Sequence, residues 1–212
     1  MNLLFRPFLV SIPLLALSFT VLAQSDQKVT LHSEDKKDTM ILETKTSKQG
    51  DLMGTMDLTL GKAHLQYASA IRSTGMPGMR TLIAANNGRG QLGMKETYGA
   101  KSAEILIMLQ GKKNTLNVPY PKGESPRDEH VFWFVRTRPK IGQADSYLYF
   151  DLASRKFQLK TTKYEKDDKI SYHGKAVKGH KLVEGDNVSW VDDKGMPYVV
   201  DIGKVKVRFT RD

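Results

Sequence analysis

From residue 39 onward, apolar and polar residues alternate in short runs broken by Gly, Asn and Asp. Leu52, Gly54, Met56, Leu58 and Leu60 share one parity, and Asp51, Thr55, Asp57 and Thr59 share the other. A period of two predicts a half-buried strand. Gly61-Lys62 turns the chain, and Ala63, Leu65, Tyr67, Ser69 and Ile71 repeat the pattern with His64, Gln66 and Arg72 outward. The two runs predict an antiparallel hairpin. Met79–Ala85 and Gln91–Tyr98, flanking Asn86-Asn87-Gly88, predict a second, and a further strand is expected at Ala103–Leu109.

Later runs follow suit. Phe157, Leu159 and Thr161 are expected inward, with Lys156, Gln158 and Lys160 outward. Asp167-Asp168 is expected to turn into Ile170, Tyr172, Gly174 and Ala176. Val188 and Trp190 form a strand before a turn at Asp192-Asp193-Lys194-Gly195. The last run changes parity from Val200 and Ile202 to Val205, Val207 and Phe209, so Gly203 is expected to mark a β-bulge. Gln110–Glu124 is polar, holds Pro119 and Pro121, and is expected to be a long loop. Ser125-Pro126-Arg127-Asp128 has the form of a helix start, with Val131–Val135 as body, Arg136 and Arg138 near the end, and Pro139 as the stop. The expected fold is mainly β, with roughly nine or ten strands: a single curled antiparallel sheet or open β-barrel with one short helix.

The opening residues obey another rule. Arg6 precedes an apolar run, Phe8–Leu22, of about 15 residues, the size of a signal-peptide core and short of the ~20 needed to span a membrane. Val21-Leu22-Ala23 suits cleavage after Ala23, although the lack of charge between Arg6 and Asp26 would also fit an uncleaved anchor. The expected organisation is a signal peptide over 1–23, a flexible polar tail over 24–38 and one β-rich domain over 39–212, with no transmembrane span after cleavage. No cysteine is present, which excludes a lipoprotein anchor and favours a periplasmic or secreted bacterial destination over a disulfide-building pathway.

The formal net charge of +10 is carried by lysines dispersed along the chain. Dispersed lysine solvates strand faces and discourages edge pairing, and it also suits an anionic lipid or other polyanion of the envelope. The absence of a basic block argues against nucleic acid.

Catalytic and metal patterns lose their context on inspection. Gly88-Arg89-Gly90-Gln91-Leu92-Gly93 spells a dinucleotide fingerprint but leads into a strand rather than a helix. Ser33-Glu34-Asp35-Lys36 matches a serine-x-x-lysine motif without its partners. His32, His64, His130, His173 and His180 show no helical zinc spacing, and convergence of His173 and His180 across a turn is a remote metal candidate. Met76 and Met79, in Met76-Pro77-Gly78-Met79, are remote candidates for copper(I). No catalytic residue and no cofactor is expected.

Val131-Phe132-Trp133-Phe134-Val135-Arg136, Gly142, and Trp190-Val191-Asp192-Asp193-Lys194-Gly195-Met196-Pro197 together carry a resemblance over about residues 131–201. The segment resembles an uncharacterised family of exported bacterial β-rich proteins, similar in architecture to the half-open barrels of periplasmic lipoprotein carriers. The resemblance implies fold and compartment, and no enzymatic residue. The expected function is a non-enzymatic periplasmic module that binds an apolar or amphipathic envelope component such as a lipid. Ser146-Tyr147-Leu148-Tyr149-Phe150 is apolar on both parities and must be covered on both faces, by a lipid, by a partner or by protein such as the expected helix over 126–137. Phe132, Trp133, Tyr147, Tyr149 and Trp190 are therefore the expected ligand-binding residues. A structural or protein-interaction role in the envelope, with an envelope protein as partner, is the alternative. A hydrolytic enzyme or copper-binding protein ranks behind both.

Overall fold

Alternation of buried and exposed residues builds a sheet of 14 strands in the computed structural model, which describes residues 27–48, 51–72, 77–86, 91–126, 133–134 and 137–212. The strands are β1 (Gln27–Ser33), β2 (Thr39–Thr46), β3 (Leu52–Leu60), β4 (Ala63–Ile71), β5 (Pro77–Asn86), β6 (Gln91–Tyr98) and β7 (Ser102–Leu109). Then follow β8 (Lys112–Pro119), β9 (Ala144–Asp151), β10 (Lys156–Tyr172), β11 (Lys175–Glu184), β12 (Asn187–Val191), β13 (Pro197–Ile202) and β14 (Val207–Arg211). Neighbouring strands pair antiparallel throughout.

The chain meanders outward from β1 to β8, crosses to the opposite edge, and meanders back from β9 to β14, which pairs with β1. β1 thus joins the two arms. Its inward Val29 and Leu31 belong to the main core with Met40, Leu42, Met56, Leu58, Leu65 and Phe209, all buried. Full burial of each such side chain contributes about 1.5–3 kcal/mol.

The sheet is rolled without closing on itself. β8 and β9 stand at opposite ends of the strand order. Even so, Phe157 of β10 lies 6.3 Å from Tyr98 of β6 and 5.3 Å from Tyr120 after β8, ring centre to ring centre. Arg80 of β5 donates through Nη1 to the Leu148 carbonyl of β9 at 3.0 Å. A side chain, rather than a strand ladder, caps that stretch of edge backbone.

The expected fold class holds, and the β3–β4 and β5–β6 hairpins stand as read, with residues 87–90 of the second connection outside the described residues. Several details differ. The expected flexible tail contains β1, so the β-rich domain includes residues before 39. The expected loop at 110–124 contains β8, reached through a tight turn in which Gln110 (φ 50) and Gly111 (φ 78) both adopt the left-handed conformation. Asp167-Asp168 does not turn the chain: β10 runs on to Tyr172, with a bulge between Tyr164 and Lys166. Leu159 is 49% exposed while Thr162 and Tyr164 are buried, so the parity of central β10 is the reverse of that expected.

Gly203 begins a four-residue turn between β13 and β14 rather than a bulge. A Cβ there would meet the Asp186 carbonyl oxygen at 2.1 Å, so the close approach of two turns requires glycine. Of the expected helix, Trp133, Phe134 and Thr137 are described and helical. Arg138, at φ 47, ends it, its amide bonded to the Phe134 carbonyl at 3.1 Å. The signal segment 1–23 lies outside the described residues.

Candidate functional site

The helical residues cover a second, smaller core. Trp133 and Phe134 pack with Tyr164 of β10, Leu182 of β11 and Val191 of β12. The Phe134 ring lies 5.2 Å from Tyr164 edge-on and 5.1 Å from His180. Trp133 is 8% exposed and packs between the helix and the sheet.

Beside this core, the β10 bulge changes the chemistry of one end of the sheet. Residues three apart on a regular strand face opposite ways. The bulge adds one residue to β10, so Tyr164 and Asp167 share a face, and the Tyr164 hydroxyl donates to Asp167 Oδ1. Register places Asp167 opposite His180 of β11. His180 Nδ1 lies 2.6 Å from Asp167 Oδ1, and its Nε2 lies 2.8 Å from Asp193 Oδ1 in the turn after β12. Arg138 donates to the Asp193 carbonyl at 2.6 Å and ties the helix end to the same turn.

Burial raises the pKa of Asp167, but hydrogen bonds from Tyr164, Lys178 and His180 outweigh it and bring it to about 2. The His180 hydrogen bond lowers the Asp193 pKa in the same way. Burial, then the bond to Asp167, raises that of the Tyr164 phenol.

Next to this cluster lies an open groove of about 540 Å³ lined by Gln27, Lys28, Val29, Lys178, Asp192, Asp193, Lys194, Tyr198 and Arg211. Its walls come from β1, β11, β13, β14 and the 192–195 turn, elements that meet because β14 pairs with β1. Asp192 shapes the turn: its Oδ1 accepts the amides of Lys194 and Met196, each at 2.9 Å. Its Oδ2 accepts from Arg211 at 3.1 Å, and the Arg211 guanidinium lies 5.3 Å from the centre of the Tyr198 ring. Lys178 pairs with Asp167 Oδ2 at 2.9 Å. Gln27 Nε2 is buried without a hydrogen-bond acceptor.

A third polar group sits deeper in the roll. Arg80 and Glu96 face each other across β5 and β6, with Nη1 and Oε2 3.8 Å apart and both side chains buried. The Tyr98 hydroxyl donates to Glu96. Glu184 accepts from Thr162 at 3.2 Å, from Tyr147 at 3.3 Å and from Lys160 at 3.3 Å.

Among the described residues, those singled out from sequence lie in several places. Phe132 and Met76 lie outside the described residues, and Met79 is half-buried on β5. Tyr147 is buried with its hydroxyl on Glu184. Tyr149 is half-buried, its hydroxyl on Gln158 at 3.2 Å and Lys160 4.4 Å from its ring centre. Trp190 is half-buried between Lys181 and Arg208, at 5.7 and 5.4 Å from its ring centre. β9 is covered on both faces by protein, with Tyr147 buried on one side and Leu148 and Phe150 on the other. Among the described residues no cluster of His, Asp and Glu could hold a metal ion. The groove residues Lys28, Lys178, Lys194, Tyr198 and Arg211 were not expected. The signals for them were the acidic turn, read only as turn chemistry, and His180, weighed only with His173.

No family model matches the chain, and no curated protein matches its sequence. The fold is similar to that of a crystal structure described as a beta-barrel-like protein of domain of unknown function DUF1849 from Brucella abortus. The two share 10% sequence identity with a TM-score of 0.50, over 88% of this chain and 94% of that one. The likeness supports a β-barrel-like fold for this chain.

Proposed function

We propose that the protein is an exported, non-enzymatic module of the bacterial cell envelope, and that its groove holds the anionic head of an amphipathic envelope component. The observation that carries this reading is the groove itself, in which Lys28, Lys178, Lys194 and Arg211 outnumber Asp192 and Asp193. Lys178 and Arg211 are fixed by carboxylates, while Lys28 and Lys194 are exposed at its surface. Fixed cations around a small open volume favour one negative group and its approach from solution. The buried Gln27 amide adds a hydrogen-bond donor in search of an acceptor. Lys178, Arg211, Asp192 and Asp193 each pair with a neighbouring charged group, an arrangement that holds their charge in place. The signal-like first 23 residues motivate the compartment, and the dispersed positive charge suits an anionic surface.

The test uses short-chain lipids that stay monomeric. Dihexanoyl phosphatidylglycerol is expected to bind the full chain in a calorimetric titration, and dihexanoyl phosphatidylcholine, which carries a compensating cation, to bind much more weakly. Replacing Lys28→Glu together with Lys194→Glu should weaken phosphatidylglycerol binding about tenfold or more, since each surface cation contributes about 1 kcal/mol toward an anionic head. Equal binding of the two lipids, or an unchanged affinity in the double variant, would contradict the reading.

A further inference from the structure

The groove shares Lys178 and Asp193 with the His180 cluster. His180 is buried, with a carboxylate oxygen against each ring nitrogen. An imidazolium has two N–H donors and satisfies both carboxylates. A neutral imidazole has one donor and one lone pair, so one of its nitrogens would face a carboxylate with no proton between them.

The charged and titratable groups facing the ring come from each element around it. Tyr164 and Asp167 belong to β10, with the phenol oxygen 2.9 Å from Nδ1. Lys178 belongs to β11 and reaches the ring through Asp167. Asp193 belongs to the turn, and Arg138 at the helix end holds the carbonyl of that residue. Phe134 covers the ring without adding charge. With the proton present, His180, Lys178 and Arg138 face Asp167 and Asp193, and loss of the proton removes one positive charge from beside the two carboxylates.

The two carboxylates are not equally held. Asp167 is also bound by Tyr164 and Lys178, whereas the Asp193 side chain is 83% exposed and has the ring as its hydrogen-bond partner. Asp193 is therefore the one that gives way, and it lines the groove next to Lys194. We infer that His180 is a proton-operated latch on the groove: protonated, it holds Asp193 against the wall; neutral, it releases that carboxylate among the groove cations, where it opposes an anionic ligand. The inference rests on the groove being the binding site, and affinity for an anion should then fall as pH rises.

The probe is again dihexanoyl phosphatidylglycerol, a phosphodiester whose charge stays constant between about pH 5 and 8, so a change in affinity over that range reports the protein. Affinity is expected to be about fivefold weaker at the alkaline end. In the ligand-free protein, the backbone amide resonances of Lys194 and Gly195 should shift over the same range. His180→Gln should remove both effects. Asp193→Asn should remove the alkaline loss, so that affinity no longer falls as pH rises. Amide resonances that stay fixed, or that shift alike in His180→Gln, overturn the latch. Binding that is intact but independent of pH overturns it too and leaves the groove reading standing. Absence of binding at every pH removes the groove reading, and the amide titration then decides the latch alone.

Discussion

Removing residues 27–33 should abolish cooperative folding. β1 is the strand through which the β2–β8 arm and the β9–β14 arm become one sheet, paired with β2 on one side and β14 on the other. Its loss removes the ladders on both sides and strips buried Val29 and Leu31 from the core. It also leaves two bare strand edges, each a template for aggregation. The lost burial alone is about 3–6 kcal/mol, a large share of the ~5–15 kcal/mol that holds a typical domain. A chain beginning at residue 34 is expected to show no single urea transition and no fixed near-ultraviolet circular dichroism. A sharp transition at an undiminished urea concentration would mean that β1 is an accessory rather than the joint.

The second large effect concerns the buried Arg80–Glu96 pair. Arg80→Ala leaves the Glu96 carboxylate enclosed with the Tyr98 hydroxyl and removes the donor that caps the Leu148 carbonyl on β9. Breaking one side of a buried ion pair costs about 3–5 kcal/mol, because the remaining charge has lost its counter-ion. Replacing both partners by apolar residues of similar volume is far gentler. Arg80→Met with Glu96→Leu should therefore recover most of the stability lost in Arg80→Ala, as read from urea midpoints at constant slope. A loss below about 1 kcal/mol in Arg80→Ala would show that the pair adds nothing to closure of the roll.

Particular elements show which parts of this structure can be read from the sequence. β3 and β4 are legible because five inward positions alternate with polar ones on each side of Gly61-Lys62, and the register then follows from the turn. The turn at 192–195 is legible because its Asp192 accepts amides two and four residues ahead, a local interaction. β9 announces its two buried faces in Tyr147, Leu148 and Phe150.

β1 hides its pattern because only Val29 and Leu31 interrupt polar residues, and the next inward position is Ser33. β8 hides because an edge strand keeps Lys112, Lys113, Asn114 and Asn117 in solvent. Lys160 reads as an outward residue, yet it is mostly buried because Glu184 of β11 faces it, a partner that no local window contains. The site is less legible still. His180 lies 13 residues from each of its carboxylates; Asp167 reaches it through the β10 bulge and the β10–β11 register, and Asp193 through the β11–β12 pairing. The groove needs β14 beside β1, the last and first of the described strands.

The measurement that bears most directly on the proposed function is native mass spectrometry of the protein purified gently from the envelope of its own host. The account predicts a discrete added mass that organic extraction releases as an anionic lipid or glycolipid, and that the Lys28→Glu, Lys194→Glu variant carries in much lower yield. A bare polypeptide mass from the unaltered protein, at a yield where bound lipid would be retained by a carrier, would contradict it.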